Sequence, residues 1–141
     1  MTSDTRTFDM ERSAELDVFD FMKAIGQDTP VSPAIPDEEI IKLRVNLIEE
    51  EYDELMDAIR MGNLIEIADA CADLVVVVVG TAIAYGIPFS DVWDEVHRTN
   101  MAKVSGPVRE DGKRLKPEGW TPPNIARILL DAASHSYIEE G

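Results

Sequence analysis

The stretch that most constrains the fold is LIEIADACADLVVVVVGTAIAYG, residues 64–86, which contains five consecutive valines. Valine favours strands by propensity. The acids Glu66, Asp69 and Asp73 argue for a helix, because their i, i+3 and i+7 spacing puts them on one helical stripe, whereas a strand would divide them between two faces. We therefore predict one long helix, apolar nearly all round and central in a helical bundle. A strand over residues 74–79 remains the alternative.

Length and charge limit what this stretch can do. Its longest apolar run, residues 74–85, has 12 residues, and a membrane span needs about 20. The formal net charge of −15 disfavours binding to nucleic acid or to an anionic membrane, and it suits a protein that binds cations. The single cysteine, Cys71, excludes an intramolecular disulfide, and the polar, acidic start does not resemble a secretory signal. We therefore expect a cytoplasmic protein.

Apolar residues recur at helical spacing in other parts of the chain, between segments rich in proline and glycine. We predict helices over residues 13–25, 37–61, 64–86, 90–104 and 124–138, with Ser90 as the N-cap of the fourth. The fold class that follows is all-α, a four-to-five-helix bundle in a single domain over residues 1–141. This domain would have a core over about 15–104, a basic loop over 105–121 and a C-terminal helix over 122–139.

Two acidic clusters lie on consecutive predicted helices. The first is EEEYDEL, in which Glu50, Glu51 and Glu54 fall within about 100° of helical arc. The second is the acidic stripe of residues 66–73. A short turn between the helices makes them antiparallel neighbours, so the two clusters can face each other. Converging carboxylates repel unless a cation joins them, and hard oxygen ligands suit Mg²⁺ or Mn²⁺. A solvated acidic surface is the alternative, above all for EEEYDEL.

Basic residues concentrate in the last third of the chain. Residues 98–127 hold seven of the 13 bases and only three of the 28 acids. A basic segment in an acidic protein suits a phosphate group. The alternative is that this segment docks on the acidic body. Arg44, seven residues before Glu51, is expected to pair with the acids.

These residues carry a resemblance to a known superfamily. EEYDE, residues 50–54, matches the EExxE element of the all-α nucleoside triphosphate pyrophosphatases, and EIAD, residues 66–69, matches their ExxD element. The superfamily includes the MazG proteins, the dimeric dUTPases and phosphoribosyl-ATP pyrophosphohydrolase. The tail DEVHRTNMAK, followed by DGKRLKPEGWTPP, is similar to the small, single-domain MazG-like proteins. The resemblance covers about residues 15–125.

The resemblance implies a MazG-like bundle assembled as a homodimer or homotetramer. It implies hydrolysis of a nucleoside triphosphate, ribo or deoxyribo, to a monophosphate and pyrophosphate. By position in the two motifs, Mg²⁺, with Mn²⁺ as a possible substitute, would be held by Glu51, Glu54, Glu66 and Asp69. Glu50 would be a further ligand or would orient the attacking water. A second register of the first motif, with Glu49, Glu50 and Asp53, is the less favoured alternative.

The same resemblance implies where the substrate binds. Asn100 and Lys103 would reach the phosphates with help from Lys116. Phe19 and Phe21 lie where relatives stack the base. Asp73 would be a hydrogen-bond acceptor just outside the metal ligands or would bind a sugar hydroxyl. Apart from the resemblance, Trp120 between Gly119 and Pro122 would anchor the basic loop or flank the substrate.

The identity of the base stays open between dUTP and a purine nucleotide such as dGTP. Two other functions remain as alternatives. One is a non-catalytic helical module that binds a divalent metal and a nucleotide. The other is an acidic helical adaptor that needs no metal.

Overall fold

The computed structural model describes residues 13–139, with side chains as far as residue 134. Five helices and no strand lie within that range, so the predicted all-α class is confirmed. The helices are α1 (Ala14–Ala24), α2 (Glu38–Met61), α3 (Leu64–Ala84), α4 (Phe89–Met101) and α5 (Ile125–Glu139). The strand alternative is wrong, because α3 continues through all five valines. Packing contacts outweigh the strand propensity of valine here.

Local sequence explains most helix ends. The Ser13 hydroxyl accepts a hydrogen bond from the Leu16 amide at 3.2 Å and so caps α1. The Asn63 side chain does the same for Glu66 at the start of α3, at 3.3 Å. Between α2 and α3, Gly62 has a φ of 65°, a left-handed conformation that glycine adopts without strain. The turn predicted at this position is therefore present.

The start of α4 differs from the prediction. The helix begins at Phe89, with Pro88 at the N-cap position and no side-chain cap. The Pro88 carbonyl already accepts a hydrogen bond from the Val92 amide at 3.1 Å. Ser90 is therefore inside the first helical turn, and its prediction as the N-cap is wrong. The helix ends at Met101, and turns rather than helix follow.

The chain divides into two compact units. Of the described residues, the first unit comprises 13–29 together with 38–81, and so contains α1, α2 and most of α3. Its buried apolar residues are Val18, Met22, Ala58, Ala70, Val77 and Val79. Alanine on both α2 and α3 leaves room for the two helices to approach closely. The single-domain organisation stays a prediction.

Helix α3 is buried over part of its circumference. Val77 and Val79, about 200° apart on the helix, are 7% and 1% exposed, whereas Val75 is 50% exposed and Val78 is 44% exposed. The predicted central position therefore holds in part within a single chain. By length and composition α3 would also be able to cross a membrane, although the core helix of a soluble protein has the same properties.

The second unit comprises residues 30–37 and the residues from 82 onward. The Ala34 amide donates to the Tyr85 carbonyl at 3.0 Å, which ties the proline-rich segment to the end of α3. Gly86 has a φ of 66°, and a Cβ built there would lie 2.1 Å from the Ser32 carbonyl oxygen. In the same unit, the Glu95 carboxylate on α4 accepts the Asn124 amide at 3.3 Å, just before α5.

Candidate functional site

Helices α2 and α3 form an antiparallel pair in the first unit. Arg44 of α2 contacts Val77 of α3, and further along α2 the Glu51 carboxylate lies beside Asp73. Residues of α2 that lie nearer the turn therefore face residues of α3 that also lie nearer the turn. Residues at equal sequence distance from Gly62 lie at similar height, because both helices rise about 1.5 Å per residue. Glu51 and Asp73 are each 11 residues from Gly62.

Three carboxylates converge where these helices face each other. One oxygen from each of Glu51, Glu54 and Asp73 lies within 4.8 Å of the others. Glu51 and Asp73 are half-buried, whereas Glu54 is exposed. We call these three residues the carboxylate cluster.

Glu51 is the least satisfied member of the carboxylate cluster. Its Oε2 atom is buried and has no hydrogen-bond partner among residues 13–134, whose side chains the structure describes. Burial raises the pKa of the Glu51 carboxyl above its ordinary value, and the charges of Glu54 and Asp73 raise it further. A hydrogen bond with Glu54 and the charge of Glu50 act in the same direction. The protein therefore places a carboxylate where its ionised form has no internal compensation.

A divalent cation fits this donor set. All three donors are hard oxygen atoms, which Mg²⁺ prefers, and ligand oxygens on opposite sides of Mg²⁺ are about 4.2 Å apart. Donor oxygens within 4.8 Å of one another can meet that requirement with small side-chain rotations. The buried, unpartnered oxygen of Glu51 would gain a partner at the same time.

An open cleft of about 390 Å³ adjoins the carboxylate cluster. Glu54 belongs to both, and the predicted ligands Glu66 and Asp69 line the cleft. The structure therefore places Asp73, rather than Glu66 or Asp69, in direct proximity to Glu51 and Glu54. The remaining lining residues are Asp57, Ala58, Met61, Asn63 and Ala70.

The triple glutamate of α2 separates into different environments. Glu51 and Glu54 enter the carboxylate cluster, whereas Glu49 and Asp53, which define the alternative register, are exposed. This geometry supports the register with Glu50, Glu51 and Glu54. Glu50 is exposed beside the cluster and influences Glu51 through its charge.

A second group of predicted site residues assembles in the second unit. The ammonium groups of Lys103 and Lys116 lie 5.2 Å and 4.7 Å from the centre of the Trp120 ring. The Trp120 indole donates a hydrogen bond to the Thr99 carbonyl at 2.8 Å, and Lys103 donates to the Asn100 side chain at 3.3 Å. We call Asn100, Lys103, Lys116 and Trp120 the lysine–tryptophan cluster. Trp120 anchors the basic loop to α4, as one of its two predicted roles requires.

Most arginines of the basic segment have local partners. Arg98 pairs with Glu95, Arg109 pairs with Asp111, and Arg127 pairs with Asp131. Arg114 donates to the Gly106 carbonyl at 2.9 Å. The positive charge available to an anion therefore lies mainly on the lysines of the segment, two of which, Lys103 and Lys116, belong to the lysine–tryptophan cluster.

The two aromatic residues predicted to stack a base lie on α1. Phe19 is half-buried, with the Lys23 ammonium 5.6 Å from the centre of its ring. Phe21 is 55% exposed. Their separation of two residues turns them about 200° apart on the helix, so they serve different surfaces.

Arg44 is not the ion-pair partner that its spacing predicted. Its guanidinium donates to the Thr81 hydroxyl and to the Val77 carbonyl, and it forms no ion pair among the residues that the structure describes. Sequence reasoning also missed Asp57 and Asn63 as cleft residues. The signal that was available is their nearness to the turn at Gly62, which brings them close to Glu66.

Two comparisons with known proteins bear on this site. The sequence profile of a family described as Phosphoribosyl-ATP pyrophosphohydrolase matches residues 18–100, which is more than half of the 141-residue chain and includes the whole carboxylate cluster. The chain is also similar to an uncharacterized protein of Acanthamoeba polyphaga mimivirus, with 51% identity over 47 residues. That match covers 33% of this chain and 19% of the viral protein, so it spans less than a fifth of that relative's length.

Proposed function

Because this chain belongs to the phosphoribosyl-ATP pyrophosphohydrolase family, within the all-α MazG-like superfamily, we propose that it is a metal-dependent nucleoside triphosphate pyrophosphohydrolase. The reaction would cleave a ribo- or deoxyribonucleoside triphosphate between its α and β phosphates. Water would be the second substrate, and the products would be a nucleoside monophosphate and pyrophosphate.

The observation that carries this proposal is the state of Glu51. Its buried oxygen has no partner within the described part of the chain, and its carboxylate faces two others within 4.8 Å. Such an arrangement is unfavourable in the metal-free protein and becomes favourable when a divalent cation binds. Glu51, Glu54 and Asp73 would hold the ion, and Glu66 and Asp69 would complete the acidic surface along the cleft.

The bound ion would neutralise phosphate charge and lower the pKa of a coordinated water. Groups of the protein itself would position and deprotonate the attacking water. Glu50 is exposed beside the carboxylate cluster and would orient the attacking water and accept its proton. Mg²⁺ is the expected ion because the donors are all oxygen atoms, and Mn²⁺ is the expected substitute.

The lysine–tryptophan cluster supports a role in binding phosphate. Both ammonium groups contact one indole ring, and neither makes an ion pair among the residues that the structure describes, so each is able to bind a phosphate oxygen. Asn100 accepts from Lys103 through its side-chain oxygen, which leaves its NH2 group able to donate to a phosphate oxygen. We assign the triphosphate to Asn100, Lys103 and Lys116, with Trp120 holding the lysines in place.

The identity of the substrate base is the most specific part of the proposal. We keep dUTP and a purine deoxynucleotide such as dGTP as the candidates, with Phe19 or Phe21 stacking on the base. Phosphoribosyl-ATP joins the candidates because the matched family carries that name. Selectivity among them depends on the shape of the base pocket.

We also propose that the protein acts as a homodimer or homotetramer. Exposed apolar residues on α3, such as Val75 and Val78, are costly to leave in water, and a second copy that covers them would stabilise the fold. A cytoplasmic location, without binding to membrane or to nucleic-acid polymers, suits the net charge of −15 and the single cysteine.

The test is product analysis. The purified protein is incubated with each ribo- and deoxyribonucleoside triphosphate and with phosphoribosyl-ATP, in Mg²⁺, Mn²⁺ or EDTA, and the products are separated by chromatography. A monophosphate with pyrophosphate, formed only with metal, is the expected result. Diphosphate with free phosphate would contradict the assigned bond. Nucleotide binding without product would favour the non-catalytic binding module.

A further inference from the structure

Arg44 is a buried guanidinium that pairs with no carboxylate in the part of the chain that the structure describes. It is 4% exposed, its Nε donates to the Thr81 hydroxyl at 3.2 Å, and its Nη2 donates to the Val77 carbonyl at 3.0 Å. Burial lowers the pKa of the Arg44 guanidinium. A buried cation that makes no ion pair among the described residues costs free energy on folding. The role of Arg44 is therefore sought in the helix positions that its contacts hold.

Gly80 of α3 provides the space that Arg44 occupies. A Cβ built on Gly80 would lie 2.5 Å from Nη2 of Arg44, closer than real side-chain carbons approach. Glycine inside a helix is unfavourable relative to alanine, so its presence within α3, four residues before the helix ends, calls for a packing reason. Gly80 is the notch into which the guanidinium fits, and Val77 and Thr81 provide its acceptors.

The spacing of this contact relates it to the carboxylate cluster. Arg44 is seven residues before Glu51 on α2, and Gly80 is seven residues after Asp73 on α3. Seven residues are nearly two full turns, so each pair shares a helix face and the two layers lie about 10.5 Å apart along the axis. Arg44 and Gly80 are also each 18 residues from Gly62, which matches an antiparallel pair in this register.

We propose that Arg44 is a positioning residue for the carboxylate cluster. Its guanidinium, locked into the Gly80 notch, sets the axial register of α2 against α3 and so holds Glu51 and Glu54 opposite Asp73. A shift of one residue on α3 would rotate Asp73 by about 100° away from the cluster. The inference rests on the proposed function in one respect, namely that the carboxylate cluster binds a divalent cation.

Arg44 acts through this packing rather than through its charge. Its hydrogen bonds go to the Thr81 hydroxyl and the Val77 carbonyl, and among the described residues none of them reaches a carboxylate of the cluster. Two substitutions therefore reach the same contact from opposite sides. Arg44→Met removes the donors, and Gly80→Ala displaces the guanidinium while leaving its charge in the protein.

The experiment measures Mn²⁺ binding to the full chain by electron paramagnetic resonance, with helix content checked by circular dichroism. Arg44→Met and Gly80→Ala should each weaken Mn²⁺ binding by about tenfold or more, as loss of support around metal ligands does. Arg44→Lys keeps a donor for the Val77 carbonyl, so its Mn²⁺ affinity should lie between those of the wild type and Arg44→Met. The matched control is Val79→Ala, which removes packing from the same helix at a residue 1% exposed. It should lower stability and leave Mn²⁺ affinity within twofold of the wild type.

The double variant Arg44→Met with Gly80→Ala completes the test. Its loss of affinity should equal that of Arg44→Met alone, because both changes break one contact. Additive losses would overturn the inference, as would wild-type affinity in Arg44→Met or in Gly80→Ala. An equal loss in Val79→Ala would also overturn it, since any weakening of the helix pair would then suffice. If the wild type binds no Mn²⁺, the result contradicts the proposed metal site and so separates that failure from a failure of the proposed role of Arg44.

Discussion

Replacing Glu51 by glutamine should stabilise the metal-free protein while removing its response to metal. Glu51 is half-buried, and its carboxylate oxygen lies within 4.8 Å of oxygens of Glu54 and Asp73. Two unit charges 4.8 Å apart repel by about 0.9 kcal/mol in bulk water and by about 3.5 kcal/mol at an effective dielectric of about 20. Glu54 is exposed, so solvent screens its share. We expect a gain of about 1 to 3 kcal/mol in the free energy of unfolding at pH 7.

The pH dependence follows from the direction of the pKa. The folded protein raises the pKa of Glu51 above its unfolded value, so the native state holds the proton more tightly. Stability from this group is then greatest below the unfolded pKa, about 4.3, and is lost as pH rises through the folded pKa. The advantage of Glu51→Gln should therefore be large at pH 7 and should shrink toward pH 4.

The assay is thermal and urea unfolding at fixed protein concentration, first in EDTA and then with Mg²⁺ or Mn²⁺. The matched control is Glu49→Gln, which removes the same charge at an exposed position outside the carboxylate cluster. In EDTA, Glu51→Gln should be more stable than both the wild type and Glu49→Gln. Added metal should stabilise the wild type and Glu49→Gln, and leave Glu51→Gln nearly unchanged. Equal stability of the two variants in EDTA would refute the reasoning.

Further predictions concern other groups. Asp73→Asn should lower pyrophosphohydrolase activity at least about tenfold, and a full-activity variant would contradict a ligand role. Mn²⁺ affinity, measured by titration, should fall on the order of tenfold per pH unit below the raised pKa of Glu51, because a proton competes for the same oxygen. Trp120→Leu should raise KM for the nucleotide roughly 5- to 30-fold with kcat nearly unchanged, since two cation–π contacts are lost. Gly86→Ala should lower the free energy of unfolding by more than about 1 kcal/mol, because φ is positive and the Ser32 carbonyl blocks the new Cβ; unchanged urea midpoints would disprove it.

The helices were predictable because their signals are local. Apolar periodicity defines α2 and α4, and the acidic stripe identifies α3 as a helix despite its valines. Helix ends were less predictable where no side chain caps the helix. At α4 the N-cap residue is Pro88, which has no capping side chain, so the serine that the pattern favours lies inside the helix.

The membership of the carboxylate cluster needed the structure. Glu66, Asp69 and Asp73 share one stripe, so periodicity alone does not decide which of them faces Glu51. The position of each acid along the helix axis decides which of them faces Glu51, and that position depends on where the turn between α2 and α3 lies. Counting equal distances from Gly62 on both helices would have selected Asp73, and that count was available in the sequence.

Two contacts were beyond any local pattern. The placement of Arg44 in the Gly80 notch depends on how two helices pack side by side. The stacking of Lys103 and Lys116 on one indole depends on how an irregular loop folds back onto α4. In both cases the residue type was visible in the sequence, but its partner is set by packing between segments distant in the chain.

The most direct test of the central claim is a crystal structure with Mn²⁺ and a nucleotide analogue that resists cleavage between the α and β phosphates. Anomalous scattering identifies the ion without reference to the protein geometry. We predict an anomalous peak among the carboxylates of Glu51, Glu54 and Asp73, with the α and β phosphates bound to the same ion. A peak elsewhere, or none with the nucleotide bound, would contradict the account.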